Sequence, residues 1–205
     1  MAKRKFLTRH EVAAMLAATQ KALNAERNSC LILMAFIHGF RVSELLSLRV
    51  SDLDLRSRII QVSRIKNGFS TVHPLTKREL KTIRSWLCIR LNVMKKCGVN
   101  DEGWLFVTQK GRPLSRQQGY NIISLAGRRA GLDVDAHPHM LRHACGYALA
   151  DNGVDTRLIQ DYLGHRNIRH TVRYTASNAA RFEDIWRPVR RRRLQSDPNC
   201  KHLRL

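Results

Sequence analysis

A single tyrosine, Tyr174, ends a stretch in which two histidines and three arginines lie within the ten residues from His165. A phenol has a pKa near 10, and it is a poor nucleophile unless cations and a base lower the cost of its oxyanion. The same cations would neutralise a phosphodiester, so the pattern suits phosphoryl transfer. Taken alone, the stretch is explained more simply by a DNA-facing helix whose tyrosine packs or contacts a phosphate. Helix geometry alone selects His170 as the partner of Tyr174, because residues four apart share a face.

A second cluster is formed by the run His137-Pro138-His139-Met140-Leu141-Arg142-His143. His139 and Arg142 are three residues apart, so one helix face offers an imidazole and a guanidinium fork to a phosphate. Ordinary surface cations at a helix N-terminus explain the same residues. A metal bound by His139 and His143 is disfavoured, because H-E-x-x-H needs a Glu where Met140 stands and a third ligand is not evident. We therefore expect neither a metal nor another cofactor.

Two further candidates are weak by themselves. Arg41, in the run Gly39-Phe40-Arg41-Val42-Ser43-Glu44-Leu45, is expected to form a structural salt bridge with Glu44. Lys66 is predicted at the tip of a β-hairpin, where a lysine is usually solvated but can also be carried into a groove.

The elements that must position these residues are mainly helices, with one small β-sheet (an α+β chain). Asn67-Gly68 separates two β-rich runs, 58–65 and 69–75, which is a strong hairpin signal. WLFVT at 104–108 is predicted as a short strand. Nine helices are predicted. In the first half of the chain, one is opened by the capping box at Thr8, one covers about 26–39, a short one carries Arg41, and one runs from the capping box at Thr76 to about 96. In the second half, one runs from Ser115 to near Gly131, one has Pro138 at its first position, one runs from Asp155 or Thr156 to Gly164, one carries Tyr174, and one covers about 178–187.

Composition indicates a polyanion as the partner. The 205 residues include 37 Lys and Arg against 16 Asp and Glu, a formal net charge of +21. A folded domain this basic repels itself unless a polyanion is near, and nucleic acid is the leading candidate. The longest apolar run, 30–37, is too short to span a bilayer, and the N-terminus does not resemble a signal peptide. The five scattered cysteines are expected to be reduced, with Cys30, Cys88 and Cys145 in helical apolar patterns, as in a cytosolic protein.

Taken in order, these pieces resemble the tyrosine recombinase (integrase) family. The family pattern is G-x-R-x-S-E-L, a hairpin lysine, H-x-x-R, L-G-H and then a tyrosine. Here Arg142 precedes His165 by 23 residues, and Tyr174 follows nine later. Longer stretches, among them FIHGFRVSELLSLRVSDLDL and HPHMLRHACG, are similar to the fimbrial phase-variation invertases, or Fim-type recombinases. Those proteins are similarly short before the arginine motif. We therefore expect a tyrosine recombinase catalytic domain over 1–187 without a separate N-terminal core-binding domain, and a basic tail over 188–205 that includes Arg190–Arg193.

The resemblance implies that Tyr174 cleaves one DNA strand and forms a 3′-phosphotyrosyl link. It implies that Arg41 and Arg142 bind the non-bridging phosphate oxygens and that His165, in preference to His170, bonds the same phosphate. His139 would help to move the tyrosine proton, and Lys66 would protonate the leaving 5′-oxygen. A DNA-binding regulator of the same fold without catalysis, and a topoisomerase-like relaxing enzyme, are the alternatives.

The implied partner is double-stranded DNA with inverted repeat sites, bound by a homotetramer on two paired sites. Exchange of the C-terminal helix would join the protomers, with Phe182, Ile185 and Trp186 as its apolar contacts. Accessory DNA-bending proteins are possible partners, and no membrane is expected. The implied setting is the bacterial cytoplasm, at the nucleoid when DNA is bound, and the implied role is inversion of a promoter-bearing segment that switches fimbrial genes.

Overall fold

A computed structural model describes residues 4–20, 22–64 and 70–176 of the chain. The expected mainly helical class is confirmed. The helices are α1 Arg9–Thr19, α2 Ala25–Ile37, α3 Val42–Leu46, α4 Lys77–Cys97, α5 Arg116–Arg129, α6 Pro138–Asp151, α7 Thr156–Leu163 and α8 Arg169–Ala176, and the strands are β1 Leu53–Asp54, β2 Ile59–Val62 and β3 Thr71–Pro74.

Helix α2 is the centre of the core. Its apolar residues lie on nearly every face, and α1, α4 and α6 pack around it. Leu31, Ile32 and Met34 are fully buried. This arrangement places the N-terminus of α6 and the loop after α2 at the same side of the core, where the candidate site is built.

The helix starts follow from local capping. The predicted boxes are confirmed at Thr8 and Thr76, where the hydroxyl accepts from the backbone N–H three residues on and the glutamate there accepts from the cap N–H. Pro138 occupies the first turn of α6, as predicted. Gly164 ends α7 in the left-handed conformation with a φ of 65°.

The sheet has three antiparallel strands in the order β1-β2-β3. The two predicted β runs are confirmed as β2 and β3, with Ile60 opposite His73. Strand β1 was not predicted, because it is only two residues long. The hairpin tip with Lys66 lies outside the described residues.

The predicted strand at 104–108 is wrong. Trp104 and Val107 form single bridges, to Arg49 and Pro113, and belong to no ladder. Leu105 and Phe106 are fully buried. The run is therefore apolar because it lies inside the core, and its strand-like composition reflects burial instead of pairing.

The cysteine prediction is partly wrong. Cys30 and Cys145 are free and buried, but Cys88 is free and exposed on α4. Burial raises the pKa of the Cys145 thiol to about 12.

None of the helices in the described part of the chain is both long and apolar enough to cross a bilayer. The predicted helix over 178–187, with Phe182, Ile185 and Trp186, and the tail with Arg190–Arg193 lie outside the described residues.

Candidate active site

Arg41 is fixed at the start of α3 by Glu44. The Glu44 carboxylate accepts from the Arg41 backbone N–H at 2.9 Å and from its Nη1 at 2.5 Å, so the expected salt bridge is confirmed. Glu44 is only 1% exposed, whereas the Arg41 side chain is 30% exposed. Burial alone would raise the pKa of Glu44, but the Arg41 N–H and the Arg64 and Arg41 guanidinium groups lower it below its usual value. Arg41 is thus held by a buried carboxylate while part of its guanidinium still meets solvent.

Arg64 shares the same carboxylate and was not predicted. Its side chain is fully buried, and Nη1 donates to Glu44 Oε2 at 3.0 Å. Nη2 donates to the Tyr162 carbonyl at 2.6 Å, near the end of α7, and to the His38 carbonyl at 3.3 Å. The signal for it was present, because Ile60, Val62 and Arg64 alternate along an inward face of the hairpin.

Arg142 lies on α6 and is 4% exposed. It donates to the Gly39 carbonyl at 2.5 Å and to the Leu163 carbonyl at 2.7 Å, and its Nη1 lies 3.9 Å from Glu44 Oε2. Burial, followed by repulsion from Arg41 and Arg64, lowers its pKa to about 10, so it remains charged at neutral pH. One guanidinium therefore ties the loop before α3 to the end of α7.

Gly39 allows this close approach. It has a φ of 58°, and a Cβ there would overlap the Leu163 side chain. The glycine of the G-x-R motif therefore lets the Arg41 loop lie directly against the L-G-H turn.

His165 follows that turn and is half-buried. Its Nδ1 lies 2.9 Å from the Thr171 hydroxyl, and its ring stacks on Tyr174 at 6.2 Å with an interplanar angle of 23°. Burial, then Arg142 and Arg41, lowers the pKa of His165 to about 3. With Nδ1 accepting from Thr171, Nε2 carries the proton of the neutral ring and can donate to an anionic oxygen.

Tyr174 is fully buried on α8. Its hydroxyl lies 2.8 Å from His143 Nδ1, and the Arg173 guanidinium lies 3.4 Å from the same hydroxyl. The ring packs over Gly146, where a Cβ would lie 2.6 Å from it, and forms an edge contact with Tyr147 at 5.1 Å. Burial raises the pKa of the phenol above its usual value despite the neighbouring Arg173.

The described hydrogen bonds and ring contacts of Tyr174 do not include the other two predicted histidines, His139 and His170. His139 still meets solvent, and partial desolvation of its ring, then His137, Arg142 and Arg41, lowers its pKa. The positive charges of Arg142 and Arg41 therefore act on the His139 ring. His170 is exposed, 6.0 Å from the His165 ring. Among the described residues, the ring that lies against Tyr174 from this part of the chain is that of His165, so the choice of His165 over His170 stays a prediction that the ring contact favours.

His143 is the residue that sequence reasoning missed at the phenol. The sequence pattern presents His143 only as a possible metal ligand, one turn after His139. Its position next to Arg142 on α6 was the available signal. In the described ranges, there is no group of three or more His, Cys, Asp or Glu side chains arranged to hold a metal ion.

Comparison with known proteins agrees with this geometry. The model of the phage integrase family matches residues 5–181. The chain belongs to the phage integrase family. It is 55% identical over 190 residues to the type 1 fimbriae regulatory protein FimB of Escherichia coli (strain K12), covering 93% of both chains. It is also 55% identical over 186 residues to FimE of the same strain, covering 91% of this chain and 92% of FimE.

A solved structure confirms the tyrosine recombinase catalytic-domain fold. The XerH site-specific recombinase, bound to its palindromic difH substrate after cleavage, matches with a TM-score of 0.72 at 26% identity. The match covers 89% of this chain and 53% of the XerH chain. This chain therefore spans about half the length of that recombinase.

Proposed function

We propose that this chain is a site-specific DNA recombinase that cleaves and rejoins DNA through a 3′-phosphotyrosyl intermediate. One observation carries the proposal: a chain of contacts joins four residues that lie apart in the sequence. Arg41 and Arg142 share the buried Glu44 carboxylate. Arg142 also bonds the Leu163 carbonyl, and His165, two residues further on, stacks on Tyr174. Two fixed guanidinium groups, a neutral imidazole and a phenol are the groups needed to bind a phosphodiester and attack it.

Arg41 and Arg142 are proposed to bind the two non-bridging oxygens and to stabilise the pentacoordinate transition state. The Gly39 and Leu163 carbonyls use two of the five N–H donors of the Arg142 guanidinium, which leaves donors for a phosphate, and Arg41 is already partly exposed. His165 would donate to the same phosphate through Nε2. Removing one such transition-state contact typically costs about 10²–10³ in rate.

Lys66 is proposed to protonate the leaving 5′-oxygen, and His139 to help to move the tyrosine proton. The two arginines supply the positive charge that a Mg²⁺ would otherwise provide, and the phosphotyrosyl ester keeps the energy needed for rejoining, so ATP is not required.

The biological proposal rests on the relatives' names. FimB and FimE are called type 1 fimbriae regulatory proteins. We propose that this chain inverts a DNA segment between short inverted repeats and so switches fimbrial genes. Four protomers would act on two paired sites in the bacterial cytoplasm. We also propose that the protomers exchange a helix over 178–187 and that accessory DNA-bending proteins take part. The proposed domain limits are 1–187 for the catalytic domain and 188–205 for the basic tail.

A nicked suicide substrate tests the proposal. The inverted repeats are first located by sequencing the DNA beside the gene for a segment found in both orientations. The wild-type chain should then form a denaturant-stable adduct with a nicked repeat, and Tyr174→Phe should bind the repeat equally well without forming the adduct. A wild-type chain that binds the repeat but never yields an adduct would contradict the proposal.

The role of Lys66 has its own test. Lys66→Ala should fail on normal DNA and recover on a 5′-bridging phosphorothiolate, because a thiolate leaves without needing a proton. If the sulfur substrate does not improve cleavage by Lys66→Ala, Lys66 is not the acid.

A second candidate function is a DNA-binding regulator that does not cleave. The complete burial of Tyr174 favours it, because a buried hydroxyl cannot reach a DNA phosphorus without movement of α8. The same adduct experiment decides between the two functions.

A further inference from the structure

We infer that His143 accepts the proton of Tyr174 during strand cleavage. This inference rests on the proposed function and adds to it a catalytic residue that touches the nucleophile. It begins from the 2.8 Å contact between the Tyr174 hydroxyl and His143 Nδ1. A nucleophile bonded to a neighbouring base is the arrangement by which enzymes activate weak oxygen nucleophiles.

The protonation states of the resting pair suit this role. Burial, followed by Arg173, His139, Arg142 and His137, lowers the pKa of His143 to about 4, so its ring is neutral at pH 7. The phenol is also neutral, because burial raises its pKa. Arg173 Nη2 also lies 3.1 Å from His143 Nδ1 and can only donate, so Nδ1 carries no proton and accepts from the Tyr174 hydroxyl as well.

The position of His143 on α6 keeps it near the reaction. It is adjacent in sequence to Arg142, which is proposed to hold the phosphate. The Tyr174 hydroxyl and ring already lie against His143 and Gly146 of α6, so the phenol, the base and the phosphate-binding arginine all border one helix. A phosphate bound beside His143 would also raise its pKa and make it a stronger base.

The competing histidines lack this geometry. His165 presents its ring to the Tyr174 ring, and its Nδ1 bonds Thr171. In the described chain, the acceptor at the Tyr174 hydroxyl is His143. His139, one turn earlier and exposed, is placed to exchange protons with solvent.

The Tyr174 oxygen forms a bond to phosphorus while its proton passes to His143 Nδ1, which makes an imidazolium. The bond from phosphorus to the 5′-oxygen breaks, and that oxygen takes a proton from the acid, proposed to be Lys66. Rejoining reverses each transfer, so His143 returns the proton to the phenol.

The experiment measures single-turnover adduct formation on the nicked repeat with His143→Asn and His143→Ala. The Asn oxygen can accept the hydroxyl hydrogen bond but cannot take the proton. Both variants should cleave about 10²–10⁴-fold more slowly than the wild type, because general base catalysis contributes that much. Added imidazole should restore part of the rate of His143→Ala. Both variants should keep the wild-type affinity for the repeat, which shows that they are folded.

The matched control is His10→Ala, which removes an exposed histidine of α1 and should cleave at the wild-type rate. A His143→Asn variant that cleaves at the wild-type rate would overturn the inference, because holding the hydroxyl would then be sufficient. Faster cleavage by His143→Ala would also overturn it, since His143 would then restrain the nucleophile. In both cases the wild-type adduct still forms, whereas failure of the proposed function is a wild type that forms none.

Discussion

Arg64 should be one of the most sensitive positions in the fold. Replacing it with methionine keeps much of the stem volume and removes the guanidinium. The Glu44 carboxylate then loses its 3.0 Å donor, and the Tyr162 carbonyl loses its 2.6 Å donor. Both losses occur where solvent cannot enter, because the Arg64 and Glu44 side chains are fully buried.

The magnitude follows from the remaining partners. Removing one member of a buried ion pair typically costs 3–5 kcal/mol, because the other charge stays buried. Glu44 keeps Arg41 at 2.5 Å and Arg142 at 3.9 Å, so its charge is still partly compensated. We therefore expect the free energy of unfolding to fall by about 3 kcal/mol, at the low end of that range.

Urea unfolding followed by circular dichroism measures this loss. With a slope of about 2 kcal/mol per molar urea, the midpoint should move by about 1.5 M. Arg4→Met is the control, since it removes an ion pair to Glu11 in which the arginine side chain is 35% exposed, and it should cost less than about 1 kcal/mol. If Arg64→Met costs no more than Arg4→Met, the argument that Arg64 holds the site together is wrong.

Two other predictions concern packing and pH. Gly146→Ala places a Cβ 2.6 Å from the Tyr174 ring, so it should lower the free energy of unfolding by about 1–3 kcal/mol, measured by urea unfolding. A variant as stable as the wild type would show that the ring does not occupy this position. Burial, then His38 and Arg64, lowers the pKa of His73 to about 3, so between pH 6.5 and 3 only the unfolded chain takes up this proton and stability falls as the pH falls. The slope from this one group should approach about 1.4 kcal/mol per pH unit, and an unchanged pH slope in His73→Phe would contradict this assignment.

The sequence predicted the elements whose signals are local. Helix ends are marked by capping chemistry that acts within four residues. The helices begin or end at the residues that supply it, which are Thr8, Thr76, Ser115, Pro138 and Gly164. The segment around Phe106 was assigned wrongly, because a buried irregular run and a buried strand need the same apolar residues.

The site was predictable only in part. The spacing of the family motifs selects His165 over His170, and the structure agrees that His165 lies beside Tyr174. The contact of His143 with the phenol depends on the angle at which α8 crosses α6, which periodicity does not encode. The alternation of apolar residues before Arg64 indicates that its side chain points inward, but its partners lie 20 and 98 residues away and are not encoded locally.

The central claim is that Tyr174 is the nucleophile, and mapping the covalent link tests it most directly. The adduct from the suicide substrate is treated with nuclease and trypsin, and the nucleotide-bearing peptide is sequenced by mass spectrometry. Trypsin should release residues 174–181, YTASNAAR, and the nucleotide should be on its first residue. We expect a phosphotyrosyl link at Tyr174. A nucleotide on Thr175, Ser177 or any other peptide would contradict it.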